Sequence, residues 1–481
     1  MSRLSGKILR IGIDSPVKRV YPRDSDGYTA QLVCRQIFEP PFDTPTAGHA
    51  SRPLLFSGPL RNQSSDPDES PVLSATLREG LCLSDGSPVT AKDVVASLAD
   101  LEQAGQASVS ARGNTIRFAL KRPNANFHLA LTQTYWALGG RRGERLLGSG
   151  AFRMLDESTD NHVLLERNPY FRRDVALDGL EFRVYPADAE GSRQALAEAL
   201  DRGEIDLTMS LGQKDVAALG KLRKWFDPGS STCNLYFNCL KPPLSNPDVR
   251  RALAMSINRL DLSAAVYGNA LAFAAKGPLP PVMGEWLDSL TYDVDAARGL
   301  LAALGHPLPA VMRLLMPWAP RPYVPNPQAI AAQLDIMFAR LGVALERVET
   351  RDLADFRRHI IEDAYDLALL GWNADSPDPA DFLDASLASS AIPDCVSAPV
   401  VKANWSRWSS PAMDQALAGF RADPDDISRS DHLRILKLLS EQVPLLPLIH
   451  GPTFSVHSYR VRNFEPSPFG IPDLSEVDLW L

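Results

Sequence analysis

Apolar residues follow two different spacings along this chain of 481 residues. Segments such as Lys7–Ile13 and Tyr365–Leu370 gather Ile and Leu into short runs, which is typical of strands buried on both faces. Tyr28–Phe38 instead places its apolar residues at helical spacing, and Pro40 ends that pattern. The two spacings together predict a mixed α/β fold whose chain opens with a strand followed by a helix.

The rest of the first half alternates strands and helices at irregular intervals. Asn114–Leu120 and Val163–Arg167 are predicted strands, and the predicted helix Ser192–Arg202 leads into the strand Ile205–Met209. This irregular spacing differs from the regular alternation of a barrel.

Two segments of this half have a local signature. Thr90 and Asp93 stand at the N-cap and third positions of a predicted helix, where their side chains can form a capping box. From Phe42 to Ser70 the chain is mainly Pro, Ser, Asp, Gly and Asn with few apolar anchors. We therefore expect an exposed, weakly ordered excursion there.

The second half predicts another α/β lobe of about 200 residues. Its predicted elements alternate between strand and helix after one initial strand. They are the strand Leu235–Asn238, the helices Asn246–Asn258 and Val294–Leu304, the strand Met312–Met316, the helix Asn326–Arg340, the strand Val343–Val348, the helix Leu353–Glu362 and the strand Tyr365–Leu370.

Composition and charge exclude several classes of protein. Hydrophobic residues make up 45% and charged residues 22% of the chain, which is typical of globular proteins. The net charge of −8 disfavours loose binding to nucleic acid or anionic lipid, and no apolar run is long enough to span a membrane. Met1–Asp14 lacks the apolar core of a secretory leader, so either a leader was removed or the protein stays in the cytosol.

Catalytic and metal-binding motifs are not evident. No H-E-x-x-H, G-x-S-x-G or G-x-x-x-x-G-K-[ST] pattern occurs, and we predict neither an enzyme nor a cofactor. Asp375, Asp378 and Asp381 are spaced like oxygen ligands of calcium. The intervening Pro377 and Pro379 oppose a loop that wraps a cation, so we predict no metal site.

A series of ordered motifs covers most of the chain. The most specific one is Leu77–Gly80 followed by Leu83–Val94, a strand, an Asp-Gly turn and a capped helix. The further segments follow in the same order. They are Gly148–Phe152, Leu165–Phe171, Leu200–Asp206, Tyr236–Asn238, Val249–Leu253, Ile257–Arg259, Tyr365–Trp372 and Pro444–Leu448. Together they resemble the extracellular solute-binding proteins of peptide, opine and nickel ABC importers, the family 5 type that includes dipeptide- and oligopeptide-binding proteins.

The resemblance implies a fold and a division of the chain. The fold is the α/β, two-lobed periplasmic-binding-protein class, type II, of the large peptide-binding kind, with a ligand cleft between lobes. The first lobe is expected to comprise 1–236 plus 455–481, with a trimmed, irregular subregion at about 42–148. The second lobe is expected to comprise 237–454.

The resemblance also implies a ligand site. In peptide-binding members the Asp of a G-W-x-x-D pattern pairs with the ligand's amino group, and Asp375 occupies that position here. Trp372, Asn373, Phe237 and Asn238 are the other expected ligand-binding residues. Each also has a structural interpretation: Trp372 as core packing, Asp375 as a loop cap and Asn238 as a partner for buried backbone. For a ligand carboxylate, the candidates are the neighbouring arginines Arg351, Arg357 and Arg358.

The expected function is capture of a small peptide or similar amine-bearing solute by lobe closure, without catalysis. The expected protein is a monomer that presents the solute to an ABC permease in the periplasm or another extracytoplasmic space. Two cytoplasmic alternatives remain open at this stage. One is a ligand sensor or regulatory domain of the same fold, and the other is a fold recruited into a biosynthetic pathway.

Overall fold

The computed structural model describes residues 4–25, 27–46, 50–64, 70–187, 192–212, 215–216, 219–268, 273–284, 290–305, 307–321, 323–374, 376–397, 402–422 and 431–480. The chain forms two compact units, Met1–Asp227 with Thr453–Leu481, and Pro228–Pro452. The sequence placed the two crossings at 236 and 455. In the structure both crossings lie inside long strands.

The first unit contains eleven strands in its first segment, among the residues that the structure describes. They are β1 (Ile8–Ile13), β2 (Arg61–Asn62), β3 (Val72–Thr76), β4 (Ala107–Arg112), β5 (Thr115–Leu120), β6 (Gly139–Arg142), β7 (Arg145–Gly148), β8 (Phe152–Met154), β9 (His162–Arg167), β10 (Gly179–Val184) and β11 (Leu207–Thr208). The helices of this segment are α1 (Tyr28–Ile37), α2 (Ala91–Ser97), α3 (Phe127–Ala130) and α4 (Gln194–Asp201).

The main sheet of the first unit has β1 at its centre. β1 pairs in parallel with β10 and with β11, and β9 and β8 extend the sheet in antiparallel pairs. Leu9, Ile11 and Ile13 of β1 are buried, as the apolar run predicted. Eight of the ten residues of α1 are buried, so this helix packs against the protein on nearly all its sides and not only along its apolar stripe.

A smaller sheet, in the order β2–β3–β5–β4, has a core of its own. Part of the segment Phe42–Ser70, which we expected to be exposed, lies in that core, and for its apolar residues the expectation is wrong. Phe42 and Phe56 are 2% and 0% exposed, and their rings lie 5.7 Å apart. A few large aromatic residues bury this segment because each one removes much apolar surface from water.

The predicted capping box is present at the start of α2. The backbone N–H of Thr90 donates to Asp93 Oδ2 at 2.7 Å, and the side chain of Thr90 accepts from the backbone of Asp93.

The second unit is built on five strands, of which the first and last cross from and to the first unit. They are β12 (Arg223–Phe237), β13 (Val311–Leu315), β14 (Ala344–Val348), β15 (Leu367–Asn373) and β16 (Leu445–His457). Its described helices are α5 (Pro247–Met255), α6 (Arg259–Tyr267), α7 (Val294–Leu304), α8 (Pro327–Ala339), α9 (Leu353–Ile361), α10 (Pro379–Leu387), α11 (Pro411–Ala422) and α12 (Asp431–Gln442). The chain ends in the first unit with the pair β17 (Val461–Arg462) and β18 (Asp478–Leu479).

Helices α5 and α6 correct one prediction. The sequence predicted a single helix over Asn246–Asn258, but α5 ends at Met255 and Asn258 is the N-cap of α6. The Asn258 side chain accepts hydrogen bonds from the N–H groups of Leu260 and Asp261. Asn is a preferred N-cap residue, and this capping bond competes with continuation of the helix. No helix in the described part of the chain is long and apolar enough to cross a membrane.

Candidate ligand-binding site

The sheet of the second unit reverses its winding next to β13. In the order β14–β13–β15–β12, the chain passes from β13 to β14 on one side and later to β15 on the other. β13 is parallel to both neighbours, so the carboxyl ends of all three strands meet at one edge. Open α/β sheets bind ligands outside the carboxyl ends at such a reversal. We call Met316–Trp318 and Trp372–Asn373, at the ends of β13 and β15, the carboxyl edge.

Trp372 and Asn373 end β15, and both are partly exposed at the carboxyl edge. They pair with Thr232 and Ser231 of the antiparallel strand β12. Successive strand residues point to opposite faces, so Trp372 shares one face with Thr232, and Asn373 shares the other with Ser231. The two predicted ligand residues therefore lie at one edge but on different faces. Their contact with a solute stays a prediction.

Beside Trp372, on the same face, lies a buried neutral pair. Thr232 Oγ1 is 3.0 Å from His450 Nδ1, and His450 is only 5% exposed. Burial, reinforced by the positive charge of Arg259, lowers the pKa of His450 to about 4. The imidazole is therefore neutral near pH 7.

A tight turn after β13 brings an arginine to the carboxyl edge. Arg321 and Val324 exchange backbone hydrogen bonds of 3.0 and 2.9 Å. The guanidinium carbon of Arg321 lies 4.3 Å from the centroid of the Trp318 ring. Gly371 of β15 leaves room for this turn, because a Cβ there would come within 3.0 Å of Tyr323 Cδ2.

The Arg321 guanidinium has an unused donor. Its Nε is buried and has no hydrogen-bond partner among the residues that the structure describes. An unsatisfied buried donor is unfavourable, and a carboxylate is a strong acceptor for a guanidinium. Stacking on Trp318 holds the group in place, and Arg321 as a whole is only partly buried.

Arg321 was missed at the sequence level, where Arg351, Arg357 and Arg358 were the candidates. Arg351 and Arg358 instead bind Asp355, at 3.0 and 2.7 Å. The hydrogen bonds from Arg351 and the charges of both arginines lower the pKa of Asp355 to about 2. Arg357 is 4% exposed and donates to the carbonyl oxygen of Val396. The sequence position of Arg321 could have indicated it, because Arg321 lies shortly after the end of the predicted strand Met312–Met316, where α/β sheets bind ligands.

Phe237 and Asn238 lie at the opposite end of the same strand pair. Phe237 pairs with Leu367, five residues before Trp372, and that distance is roughly 17 Å at about 3.3 Å per residue. Phe237 is fully buried in the apolar core of the second unit. Asn238 is also fully buried, and its Nδ2 donates to Asp363 Oδ1 at 2.6 Å and to the Tyr365 carbonyl at 3.2 Å. The structure does not bring these two residues together with Trp372.

Asp375, the predicted partner of a ligand amine, lies outside the described residues. Its neighbour Asp378 is fully buried and caps α10, accepting from the N–H of Ala380 at 3.0 Å. Within the described ranges, no three His, Cys, Asp or Glu side chains are grouped as metal ligands.

Comparisons with known proteins place the chain among binding proteins. The family model described as "Bacterial extracellular solute-binding proteins, family 5 Middle" matches residues 64–394. The chain is 27% identical to heme-binding protein A of Haemophilus influenzae over 379 residues, which cover 74% of this chain and 66% of that protein. It is 26% identical to di/tripeptide-binding protein 1 of Pseudomonas aeruginosa over 345 residues, which cover 70% and 62%. The matched region thus spans a little under two thirds of the length of these relatives.

A solved structure has the same fold. HbpA2 from Haemophilus parasuis superposes with a TM-score of 0.83 at 21% identity, over 98% of this chain and all of that one. This likeness confirms the predicted fold class.

Proposed function

The chain belongs to the family 5 bacterial extracellular solute-binding proteins, and on that premise we propose that it captures a small peptide or a related amine-bearing solute for an ABC importer. The observation that carries this proposal is the Arg321 guanidinium, stacked on Trp318 at the carboxyl edge with an unused donor. A peptide offers that donor a carboxylate at one end and an ammonium group at the other.

Each group at the carboxyl edge has a distinct task in this proposal. Arg321 receives the solute's carboxylate, and Trp372 packs against the solute. Asp375 receives the ammonium group, a role that rests on the family resemblance. A carboxylate and an ammonium group that are desolvated together need each other as partners, because either one buried alone is costly. The neutral His450 beside Thr232 adds no charge that would compete for either end of the solute.

The family consists of binding proteins that act outside the cytoplasm. We extend that location to this chain and infer that lobe closure traps the solute without chemistry. The closed, loaded monomer then presents the solute to an ABC permease.

A thermal-shift screen of the purified, refolded protein tests this proposal. The panel contains di- to pentapeptides, free amino acids, opines, nickel chelates and, because one relative is named for it, heme. A peptide at 100 times its Kd should add about 2.7 kcal/mol to the free energy of unfolding. A panel in which no peptide raises the melting temperature would refute peptide capture.

Modified peptides then assign the two ends of the solute. N-acetylation should abolish binding to the wild type but make little difference to the weak residual binding of Asp375→Asn. C-terminal amidation should likewise weaken peptide binding to the wild type but should not change the residual binding to Arg321→Gln. Arg351→Gln is a matched control, because it removes an equal charge from a residue that binds Asp355, and it should respond to amidation as the wild type does. If Arg321→Gln remains as sensitive to amidation as the wild type, the carboxylate role of Arg321 is wrong.

A further inference from the structure

Two arginine–aromatic stacks lie on the surface of the first unit. The guanidinium carbon of Arg223, at the start of β12, is 5.6 Å from the ring centroid of Tyr459. That of Arg462, in β17, is 4.5 Å from the ring of Trp480. Tyr459 is 60% exposed and Trp480 64% exposed, so neither ring serves the core.

Arg460 joins the two stacks into one surface. It follows Tyr459 directly, and the backbone N–H of Trp480 donates to its carbonyl at 2.8 Å. Within the β17–β18 pair, Val461 and Leu479 are buried, so the residues that alternate with them face outward. We call this surface the arginine–aromatic patch, and it consists of Arg223, Tyr459, Arg460, Arg462 and Trp480.

The carboxylates beside this patch are already neutralised. Asp206 is buried and is held by Arg10 at 2.8 Å, with Arg460 at 3.7 Å. Asp478 is bound by Lys7 at 2.7 Å, and that hydrogen bond lowers the pKa of Asp478.

Arg223 and Arg462 stack on aromatic rings rather than form salt bridges. In the part of the chain that the structure describes, neither one has a carboxylate at salt-bridge distance, but the charge of Arg462, which lies opposite Asp478 in the β17–β18 pair, also lowers the pKa of Asp478. Lys7, Arg10 and the three arginines of the patch outnumber Asp206 and Asp478, so this surface is locally positive on a chain whose net charge is −8.

We propose that the arginine–aromatic patch docks the protein reversibly on an anionic membrane surface. Exposed Trp and Tyr rings favour the headgroup level of a bilayer, and arginines bind lipid phosphates there. The net charge of −8 opposes nucleic acid and anionic lipid alike, so attraction to the membrane must come from the patch itself and act at short range. This role is independent of solute capture. A protein held at the membrane surface would diffuse in two dimensions until it meets a membrane-bound partner.

Vesicle co-sedimentation of the full chain without solute tests the proposal. The probes are phosphatidylcholine vesicles and vesicles in which phosphatidylglycerol replaces about one third of that lipid, in about 0.05 M salt. The protein should partition onto the anionic vesicles, and about 0.5 M salt should release it. Arg223→Gln with Arg462→Gln should weaken partition by about fivefold per arginine, and Trp480→Ala should weaken it further.

The matched control is Arg112→Gln with Arg117→Gln, which removes the same charge from exposed positions of the small sheet. This control should partition nearly as the wild type does. Equal loss in the control and the patch variant would refute the patch, as would equal partition onto both kinds of vesicle. Absence of partition onto either vesicle would refute membrane docking and leave an acidic protein surface as the next partner to test. A thermal-shift response to peptide that is unchanged in the patch variant keeps this result separate from solute capture.

Discussion

The two ends of the β12–β15 strand pair differ in what their side chains do. At one end, Phe237 and Asn238 are fully buried, and the amide of Asn238 is bonded to Asp363 and Tyr365. At the other end, Trp372 and Asn373 are partly exposed, and the nearby Arg321 has an unused donor. The comparison teaches that one strand pair can secure the fold at one end and leave the other end for a solute. We call the end with Phe237 and Asn238 the closed end and the end with Trp372 and Asn373 the open end. Substitutions at the closed end should change stability, and those at the open end should change binding.

The largest effect is expected at Phe237. Phe237→Ala should lower the free energy of unfolding by about 3–5 kcal/mol, because it leaves a cavity in a packed core. Trp372→Ala should lower it by only about 1 kcal/mol, because that ring is partly solvated already. Urea denaturation of both variants measures the difference. Similar losses at the two positions would break the distinction between a closed and an open end.

A pH-dependent effect is expected next, from His450, which is bonded to Thr232, the cross-strand neighbour of Trp372. Its pKa is about 4 in the folded protein and about 6.5 in the unfolded chain, so acid protonates the unfolded state first. Stability should be undisturbed above pH 6.5 and fall by about 3 kcal/mol as the pH drops from 6.5 to 4. His432 and His457 also have lowered pKa values, so wild type must be compared with His450→Gln. If the two proteins lose stability equally over that range, His450 is not the cause.

A smaller loss is expected at Asn238. Asn238→Ala should lower the free energy of unfolding by about 1–3 kcal/mol, because it removes a fully buried amide that donates to the Tyr365 carbonyl and to Asp363, leaving these acceptors only their more exposed donors Lys241 and Arg407. Asn373→Ala, at the open end, should stay within about 0.5 kcal/mol of wild type. Chemical denaturation at pH 7 compares the pair. A neutral Asn238→Ala would show that these hydrogen bonds do not close their end of the strand pair.

The smallest change in stability is expected at Arg321. Without solute, Arg321→Gln should leave the free energy of unfolding within about 0.5 kcal/mol of wild type. With a peptide, its affinity should fall by roughly 10- to 100-fold, as a lost charge-assisted hydrogen bond implies. Isothermal titration calorimetry against the best peptide of the screen measures that ratio. A strongly destabilised variant would assign Arg321 to the fold rather than to the solute.

Most secondary elements were predictable because their signals are local. The runs that became β1, β13 and β15 needed only apolar spacing, and α2 needed only its capping box. The single helix predicted over Asn246–Asn258 was wrong because apolar spacing continues past a residue whose side chain caps a new helix. The long strand β12 was predicted only at its end, since its first residues, Arg223–Phe226, are largely polar or exposed.

The candidate site was harder to predict than the fold. Trp372 and Asn373 were identified by a motif, but Arg321 comes to the same carboxyl edge only through the strand order of the sheet and the absence of a side chain at Gly371. Phe237 and Asn238 belong to another motif of the same family, and a motif does not reveal which end of a strand its residues occupy. That information depends on register, which sequence spacing alone does not provide.

Gly371 has a consequence for how this protein can change over time. A methyl group there would lie 2.2 Å from the carbonyl oxygen of Thr232, which is main chain and cannot rotate away as a side chain would. Any larger residue must therefore push β12 away from β15, and it would also crowd Tyr323 in the turn that holds Arg321. Evolution can therefore change solute preference through substitutions near position 371, whereas position 371 itself tolerates almost no residue other than Gly.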